Sequence, residues 1–234
     1  WLVLIPLIAA ALIGLCKAPA RPTALLSASL TLALGIWALV SFDGCSSCWS
    51  RFEGMDLQLT LAPALSKVML LLTILVTFAT VLGTNPPQGG EASWYNSALL
   101  ISAGATGAFL SDNIISFFAF HELALIPTFV MIGLYGRGDR RTTAWRATLY
   151  LGLASMVLLA ALLMIGTQAG FTFSGLKYFM ASGRELAHAE LIGALLIAGF
   201  GTRSSLLGAL LFSAAGIGSV IARNRTGKLK AATP

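Results

Sequence analysis

The sequence has few charged residues, and this shortage excludes a large class of proteins. Only 10% of its 234 residues are Asp, Glu, Lys or Arg, whereas a soluble globular domain carries about 25%. Hydrophobic residues make up 57% of the chain. A soluble core needs polar helix faces toward water, and long stretches of this sequence offer none. The composition therefore excludes an ordinary soluble domain and predicts that lipid is the main solvent.

Cysteine is also scarce, and three cysteines are too few for a disulfide scaffold. Cys45 and Cys48 form a C-S-S-C motif that Trp49 follows, where a haem-attachment motif has histidine. A disulfide in a loop that faces an oxidising compartment and two unpaired thiols both fit this spacing. One such pair without further ligands is weak evidence for a metal site.

The net charge of +6 arises from basic residues between the apolar runs and at the C-terminus. This placement is typical of membrane orientation, and no finger spacing or aromatic–basic interleaving accompanies it, so we expect no nucleic acid partner. No phosphate loop, dinucleotide-binding fingerprint or nucleophile elbow occurs either. The sequence therefore excludes a soluble catalytic domain.

Apolar runs of about membrane-crossing length recur along the chain, where about 20 residues are needed to cross the hydrocarbon. We predict spans at residues 1–16, 23–41, 61–82, 94–110, 113–135, 148–166 and 191–222. The first run is a little short, and Thr202, Arg203 and Ser204 divide the last one. That run is expected to be one broken helix or a re-entrant segment before a span. The predicted fold is all-α: a polytopic transmembrane bundle of about seven spans, forming a single membrane domain over residues 1–234.

Lysine and arginine are retained on the cytoplasmic side of membranes, so their distribution predicts orientation. With the N-terminus outside, only Arg51, Lys177 and Arg184 fall in exterior loops. The cytoplasmic segments then hold Lys17, Arg21, Arg137, Arg140, Arg141, Arg146, Arg223, Arg225, Lys228 and Lys230. We therefore expect an integral protein of a lipid bilayer, typically the bacterial inner membrane, with the N-terminus outside and the C-terminus in the cytoplasm.

Glu122 is the most informative residue, because it lies near the middle of the fifth predicted span with apolar neighbours one turn away on both sides. An ionisable group at this depth is costly and usually marks an ion or proton path. A protonated, structural carboxylic acid between helices is the alternative. Pro127 favours the path, because proline lacks an N–H and leaves the carbonyl of Leu123 without its helical partner.

Four further residues are candidates for this chemistry. His121 adjoins Glu122 about 100° around the helix, and both a proton relay and a neutral, structural histidine fit it. Asp112 stands at the helix entrance, where capping explains it. Lys67 lies near the exterior end of its span, where snorkelling or a counter-charge would place it. Arg203 divides the last run and is a candidate counter-charge, since arginine stays protonated and cannot carry the proton.

The stretch over residues 94–166 resembles the antiporter-like membrane subunits of proton-pumping NADH:quinone oxidoreductase (respiratory complex I), most closely chain M. The segment that carries the resemblance is F-L-S-D-N-I-I-S-F-F-A-F-H-E-L-A-L-I-P-T-F-V-M-I-G-L-Y-G. It combines Asp112 at the helix entrance, Glu122 at the helix centre and Pro127 five residues later. An I-G-x-x-G ending, a basic loop and a helix of small residues follow in the same order.

This resemblance implies that Glu122 is the glutamate of the family's proton channel and that a lysine on a later broken helix modulates it. Arg203 stands near the place of that lysine. The family binds no redox cofactor in this subunit, while NADH, quinone, FMN and iron–sulfur clusters serve other subunits of the complex. The chain is thus expected to be a translocase subunit without its own redox centre, with other membrane subunits as partners.

The sequence departs from the family after Arg203, because the expected proline, histidine and tryptophan pattern is missing and residues 204–234 diverge. Family members also have about twice as many spans, with a second inverted half. We therefore predict the N-terminal half of a proton-translocating membrane-arm subunit. Two alternatives stay open: a non-pumping scaffold or degenerate fragment, and a subunit of a multi-chain sodium/proton antiporter.

Overall fold

The computed structural model describes residues 1–41, 64–84, 86, 89–136, 138–183 and 186–199. Within these ranges the chain is helical without a β-strand, and one isolated antiparallel bridge joins Asn113 and Thr172. The all-α prediction is confirmed. The helices are α1 (Leu4–Leu15), α2 (Ala20–Ser41), α3 (Ala64–Gly83), α4 (Glu91–Leu110), α5 (Ile114–Tyr135), α6 (Arg140–Ala169), α7 (Phe173–Ala181) and α8 (Ala189–Gly199).

Four of the described helices are long and apolar enough to cross a membrane: α2, α3 from Ser66 onward, α5 and α6. The polytopic transmembrane class is therefore confirmed. The count of about seven spans and the single domain over residues 1–234 stay predictions, since residues 42–63 and 200–234 lie outside the described ranges. Cys45, Cys48 and Arg203 lie there as well.

Helix α4 is the centre of the bundle and packs against α1, α2, α3 and α5. It has 20 residues, and most of its second half is buried. Its small and hydroxyl residues contact other helices, and Ser102, for example, accepts a hydrogen bond of 3.0 Å from the Thr77 hydroxyl of α3. Because its neighbours cover it, this helix crosses the bundle with a smaller share of apolar residues than the four spans named above.

Helix α1 runs antiparallel to α4, although its 12 residues correspond to only about 18 Å. Val3 shares an apolar cluster with Leu110 at the end of α4. At the other end of α1, a Cβ atom on Gly14 would lie 3.2 Å from Asn96 Nδ2, near the start of α4. The short first run therefore follows most of the length of α4, and its N-terminal end lies beside the end of α4.

Helix α6 begins earlier than the sequence predicted, and this part of the prediction is wrong. We expected the basic loop G-R-G-D-R-R-T-T-A-W-R over residues 136–146, whereas the helix starts at Arg140. Asp139 is its N-cap, and its carboxylate accepts a hydrogen bond of 3.4 Å from the Thr142 N–H. An apolar run marks only the part of a helix that lies in lipid. This helix begins about two turns earlier, because Asp139 caps its first turn.

The loop predicted over residues 167–190 contains α7, which the sequence analysis missed. Thr172 is the N-cap of α7 and accepts a hydrogen bond of 3.1 Å from the Gly175 N–H. Phe173 and Leu176 pack against an apolar cluster that contains residues of α5, α6 and α8. Their spacing of three residues is the helical signal that a search for long apolar runs overlooks.

Two tyrosine contacts show which helix ends lie together. The Tyr135 hydroxyl at the end of α5 donates to the Gly90 carbonyl, just before α4. The Tyr95 hydroxyl in the first turns of α4 donates to the Thr84 carbonyl after α3 at 3.4 Å. With the Gly14–Asn96 approach, these contacts place the α1–α2 and α5–α6 connections at one end of the bundle. Exposed basic residues gather at this end: Lys17, Arg21, Arg140, Arg141 and Arg146.

Candidate functional site

Helix α5 carries the candidate site, and its start is fixed by Asn113. This residue has extended backbone geometry, and its Oδ1 accepts hydrogen bonds from the N–H groups of Ile115 at 2.8 Å and Ser116 at 3.4 Å. Asparagine is among the best N-cap residues, because its side chain satisfies amides that lack a partner in the first turn. The cap sets where α5 begins and so the depth of each later side chain.

Asp112 has a capping role, but for a different helix from the one that the sequence suggested. Its carboxylate accepts hydrogen bonds from the Ser174 hydroxyl at 2.6 Å and the Ser174 N–H at 3.3 Å, in the first turn of α7. Its carbonyl accepts from the Phe173 N–H at 2.8 Å. The carboxylate therefore ties the α4–α5 junction to α7, a contact between residues far apart in sequence that α5 alone does not reveal.

One face of α5 lies almost directly on the backbone of α4. A Cβ atom on Gly104 would lie 2.8 Å from the Phe120 carbonyl oxygen and 3.0 Å from the Ala124 nitrogen. Glycine is required here because any side chain would collide with the backbone of α5. Phe120 and Ala124 thus face α4, and Glu122, about 200° further around α5 from Phe120, points away from α4.

Glu122 lies on the face of α5 that is turned toward α6. Phe118, one turn before it, packs against the cluster that contains Leu158 and Leu162 of α6. Phe129, two turns after it, makes an edge contact with Trp145 of α6, with ring centroids 6.1 Å apart. Because these three residues share a helix face, the carboxyl of Glu122 projects along the α5–α6 side of the bundle.

The depth of Glu122 follows from its place in α5. It is the ninth of 22 residues, so it lies about 12 Å from the start of the helix and about 20 Å from its end. The side chain is half-buried among the described residues, and exposed Ile115, Ala119 and Ile126 lie on the neighbouring sector of the helix. The structure thus presents a carboxyl well inside an apolar helix, on the edge between a packed face and an open one.

Pro127 is buried in the interior of α5, as the sequence indicated. The helix continues through it to Tyr135. The hydroxyl of the next residue, Thr128, donates a hydrogen bond of 2.8 Å to the Ala124 carbonyl. A proline removes one helical N–H donor, and neighbouring hydroxyls commonly supply hydrogen bonds to carbonyls around such a break. The backbone around Pro127, with its altered hydrogen bonds, therefore lies about one turn from Glu122.

His121 is held in an aromatic stack near the α7 end of the site. Its ring is parallel to that of Phe117, with centroids 5.8 Å apart and an interplanar angle of 6°. Phe117 makes an edge contact with Phe173 of α7, also at 5.8 Å. The Nε2 atom of His121 is buried. The stack fixes the ring between Glu122 and the end of the bundle where Asp112 lies.

Lys67 lies near the start of α3, on the other side of α5 from the Glu122 face. Leu70, one turn later, shares a cluster with Leu110 of α4, and Phe120 packs against that cluster. Phe120 is on the face of α5 that meets α4, opposite to Glu122. Lys67 thus lies away from the Glu122 face, and its two roles, extension toward the membrane surface and a counter-charge, stay predictions.

Ser155 of α6 is fully buried, and it is a residue of this region that no motif in the sequence marks. Its hydroxyl donates a hydrogen bond of 3.0 Å to the Leu151 carbonyl. The signal in the sequence is a single hydroxyl residue within an otherwise apolar stretch, three residues before Leu158. Recognising it required the register between α5 and α6, which is a property of the fold.

Within the described residues, no group of three or more His, Cys, Asp or Glu side chains is arranged to hold a metal ion.

Comparisons with known proteins agree with this architecture. F(420)H(2) dehydrogenase subunit M of Methanosarcina mazei is 25% identical over 168 residues, which cover 68% of this chain and 34% of that protein. NADH-quinone oxidoreductase subunit M of Pseudomonas aeruginosa is 29% identical over 188 residues, which cover 70% of this chain and 37% of that protein. The chain thus spans about a third of the length of these relatives.

Two solved structures share the fold. The membrane-bound sulfane sulfur reductase, an archaeal respiratory membrane complex, contains a chain that superposes with a TM-score of 0.74 at 23% identity, covering 86% of this chain and 33% of that one. Respiratory complex I from Thermus thermophilus contains another, with a TM-score of 0.68 at 24% identity, covering 86% and 42%. These likenesses show that the chain shares the helical fold of those two chains.

Residues 111–211 match the transmembrane family described as NADH:quinone oxidoreductase/Mrp antiporter. The matched segment contains Asp112, Glu122 and Pro127, the residues on which the resemblance rests, and it ends within the region 204–234 that we predicted to diverge. The resemblance is therefore confirmed over these residues, which are similar to the transmembrane domain of the NADH:quinone oxidoreductase/Mrp antiporter family.

Proposed function

We propose that this chain is a proton-translocating membrane-arm subunit of an NADH:quinone oxidoreductase and that Glu122 carries the proton. The observation that supports this most is the position of the carboxyl, half-buried and about 12 Å inside an apolar helix. It also lies within the segment that matches the family. An ionisable residue at such a depth is rare unless it serves a transport path.

In this proposal Glu122 accepts a proton from one side of the membrane and releases it to the other. Surroundings of low polarity favour the neutral acid, whereas an approaching positive charge favours the carboxylate. A cation that moves away from Glu122 would therefore load the proton, and its return would unload it. The open sector of α5 beside Glu122 leaves access for such a group.

Arg203 is the cation that we propose for this role. Helix α8 ends at Gly199 and packs closely against α6 there. A Cβ atom on Gly199 would lie 3.1–3.3 Å from backbone and Cβ atoms of Leu158 in α6. The antiparallel register places Leu158 within about one turn of the level of Glu122. Arg203 itself follows four residues later and lies outside the described residues. As arginine it would adjust the affinity of Glu122 for the proton without exchanging protons itself.

His121 is the proposed relay between Glu122 and the end of the bundle at Asp112. A histidine exchanges protons near neutral pH, which suits this step. The stack on Phe117 supports the proposal, because it orients the ring toward α7 and away from α4. The structural alternative, a neutral histidine that only packs, predicts that removing the ring nitrogens changes stability rather than transport.

We further propose that the basic end of the bundle faces the cytoplasm and that the N-terminus faces outside. The exposed basic residues of the α1–α2 and α5–α6 connections support this orientation, since positive residues remain on the cytoplasmic side. We propose the bacterial inner membrane as this bilayer. Reporter fusions after the α1–α2 connection and after α7 test this topology, because they should report opposite sides.

The proposed partners are other membrane subunits, together with the lipid bilayer. The relatives named above belong to an F(420)H(2) dehydrogenase and to NADH-quinone oxidoreductases. By analogy, NADH, quinone, FMN and iron–sulfur clusters would be used in other subunits, and this chain would couple to them through its helices. No nucleic acid has a part in this function.

The test is the substitution Glu122→Gln in membrane vesicles that contain the assembled complex. It retains the size of the side chain and removes the ionisable group. We expect proton uptake per quinone reduced to fall at least about tenfold, as for the loss of a proton-transferring residue. The matched control is Glu91→Gln, at an exposed position in the first turn of α4, which should stay within about twofold. Normal uptake with Glu122→Gln would contradict the proposal.

A second candidate function is sodium/proton exchange in a multi-chain antiporter, because the matching family includes Mrp antiporters. The distinguishing measurement is proton movement driven by a sodium gradient in vesicles without NADH or quinone. Exchange under these conditions that Glu122→Gln abolishes would favour the antiporter. A chain that inserts normally and supports neither activity would favour the non-pumping scaffold.

A further inference from the structure

We infer that Ser155 of α6 is the positioning residue for the Glu122 carboxyl and that it accepts a hydrogen bond from the protonated form of that carboxyl. This inference rests on the proposed function of Glu122 and adds the residue that holds its proton-bearing form. Three observations support it: the register between α5 and α6, the face of α6 on which Ser155 lies, and the hydrogen bond that its hydroxyl makes.

The register places the two residues at the same depth. Helices α5 and α6 are antiparallel: the Ile114 N–H donates to the Phe171 carbonyl at one end, and Gly133 lies beside Ala144 at the other. Glu122 comes eleven residues before Gly133, and Ser155 comes eleven residues after Ala144. Because antiparallel α-helices have the same rise per residue, Glu122 and Ser155 are opposite each other to within about one turn.

The face of α6 that carries Ser155 is the one that meets α5. Leu158 and Leu162, three and seven residues later, share a buried cluster with Ile114, against which Phe118 packs. Residues at spacings of three and seven lie on one side of a helix, so Ser155 continues this stripe. It has no exposed surface. A hydroxyl buried inside a membrane bundle is placed for contact with a neighbouring helix rather than with lipid.

The hydrogen bond of Ser155 determines which form of Glu122 it favours. Its hydroxyl hydrogen is directed to the Leu151 carbonyl, at 3.0 Å. A serine hydroxyl that donates in this way still has oxygen lone pairs with which to accept. The neutral carboxylic acid of Glu122 has a hydrogen to donate, and the carboxylate has none. In this orientation Ser155 therefore stabilises the protonated acid, and release of the proton breaks that hydrogen bond.

The experiment uses Ser155→Ala in the assembled complex and measures the pH dependence of proton uptake. Removing the acceptor weakens the protonated form, so the alkaline limb of the profile should move to lower pH by about half to one unit, equivalent to about three- to tenfold. The infrared carbonyl band of Glu122, identified by its loss in Glu122→Gln, should shift as well. Ser155→Thr retains the hydroxyl and should restore both the profile and the band.

The matched control is Thr148→Ala, because Thr148 lies on the same helix and its hydroxyl donates in the same way to the Ala144 carbonyl at 2.8 Å. This variant should leave the profile and the band unchanged. An unchanged profile in Ser155→Ala, or an equal change in Thr148→Ala, would overturn the inference. So would a failure of Ser155→Thr to restore the profile when that variant assembles normally.

The outcomes separate this inference from the proposed function. If Glu122→Gln abolishes proton uptake while Ser155→Ala keeps the normal profile and band, Glu122 carries the proton without Ser155, and only the inference fails. If Glu122→Gln transports protons normally, the proposed function fails, whatever Ser155 does. Double substitution completes the test, since Ser155→Ala should have no further effect on uptake in a chain that already carries Glu122→Gln.

Discussion

The close approach of α4 and α5 at Gly104 leads to a quantitative prediction for Gly104→Ala. The added Cβ would lie 2.8 Å from the Phe120 carbonyl oxygen, 3.0 Å from the Ala124 nitrogen and 3.1 Å from the Ala124 Cβ. Two of these atoms belong to the backbone of α5, which cannot rotate away as a side chain can. The helices must therefore separate by roughly half an ångström, and such overpacking typically costs about 1–3 kcal/mol.

Gly152→Ala in α6 is the matched control, because a Cβ atom there would meet nothing within 4 Å. Both substitutions replace a helical glycine by alanine, which in itself stabilises a helix by about 0.5–1 kcal/mol. This gain is common to both variants and cancels in their comparison. The difference in unfolding free energy between them should therefore be about 2 kcal/mol, with Gly104→Ala the less stable.

The assay is equilibrium unfolding of the purified full chain in detergent or lipid nanodiscs, followed by tryptophan fluorescence. Wild type, Gly104→Ala and Gly152→Ala are compared under identical conditions. We expect Gly152→Ala to be at least as stable as wild type and Gly104→Ala to be less stable than both. Equal stability of the two variants would refute the close contact of α5 with the backbone of α4 at Gly104.

Three other predictions concern the ends and the centre of the bundle. Asp112→Ala removes the carboxylate that accepts from Ser174 in the first turn of α7, while the N-cap Thr172 stays in place, and it should cost about 1 kcal/mol with faster hydrogen exchange at the Ser174 amide. Unchanged exchange would contradict this contact. Hydrogen bonds from Thr142 lower the pKa of Asp139 below its usual 3.8, so the cap of α6 should persist at neutral pH and fail only as the pH falls through that lowered pKa. Asp139→Asn keeps a capping side chain and should remove this acid dependence of Thr142 amide exchange. Thr77→Val and Ser102→Ala should show a coupling free energy of about 0.6 kcal/mol in a double-mutant cycle of unfolding, and purely additive effects would exclude their hydrogen bond as a stabilising contact.

The sequence predicts the helical membrane class well, because apolar runs of about 20 residues have few other stable solutions. The helix boundaries were harder to predict. The early start of α6 depends on the cap at Asp139, and α7 depends on packing of Phe173 and Leu176 against residues distant in sequence. A local sequence pattern is enough to predict the helical membrane class, but it contains only part of what determines the helix boundaries.

The candidate site shows the same division. Glu122, Pro127 and the resemblance were evident from one continuous segment, since a carboxyl within an apolar run stands out. The cap that Asp112 gives to α7 and the position of Ser155 opposite Glu122 depend on how α5, α6 and α7 meet. Such contacts join residues that no spacing rule connects, so only the fold reveals them.

The most direct measurement of the central claim is an infrared difference spectrum of the assembled complex, recorded between resting and turning-over states. If Glu122 carries the proton, a carboxylic acid carbonyl band should appear and disappear during turnover. This band should be absent in Glu122→Gln and present in Glu91→Gln. An identical difference spectrum in wild type and Glu122→Gln would contradict the account, because the carboxyl of Glu122 would then keep one protonation state throughout transport.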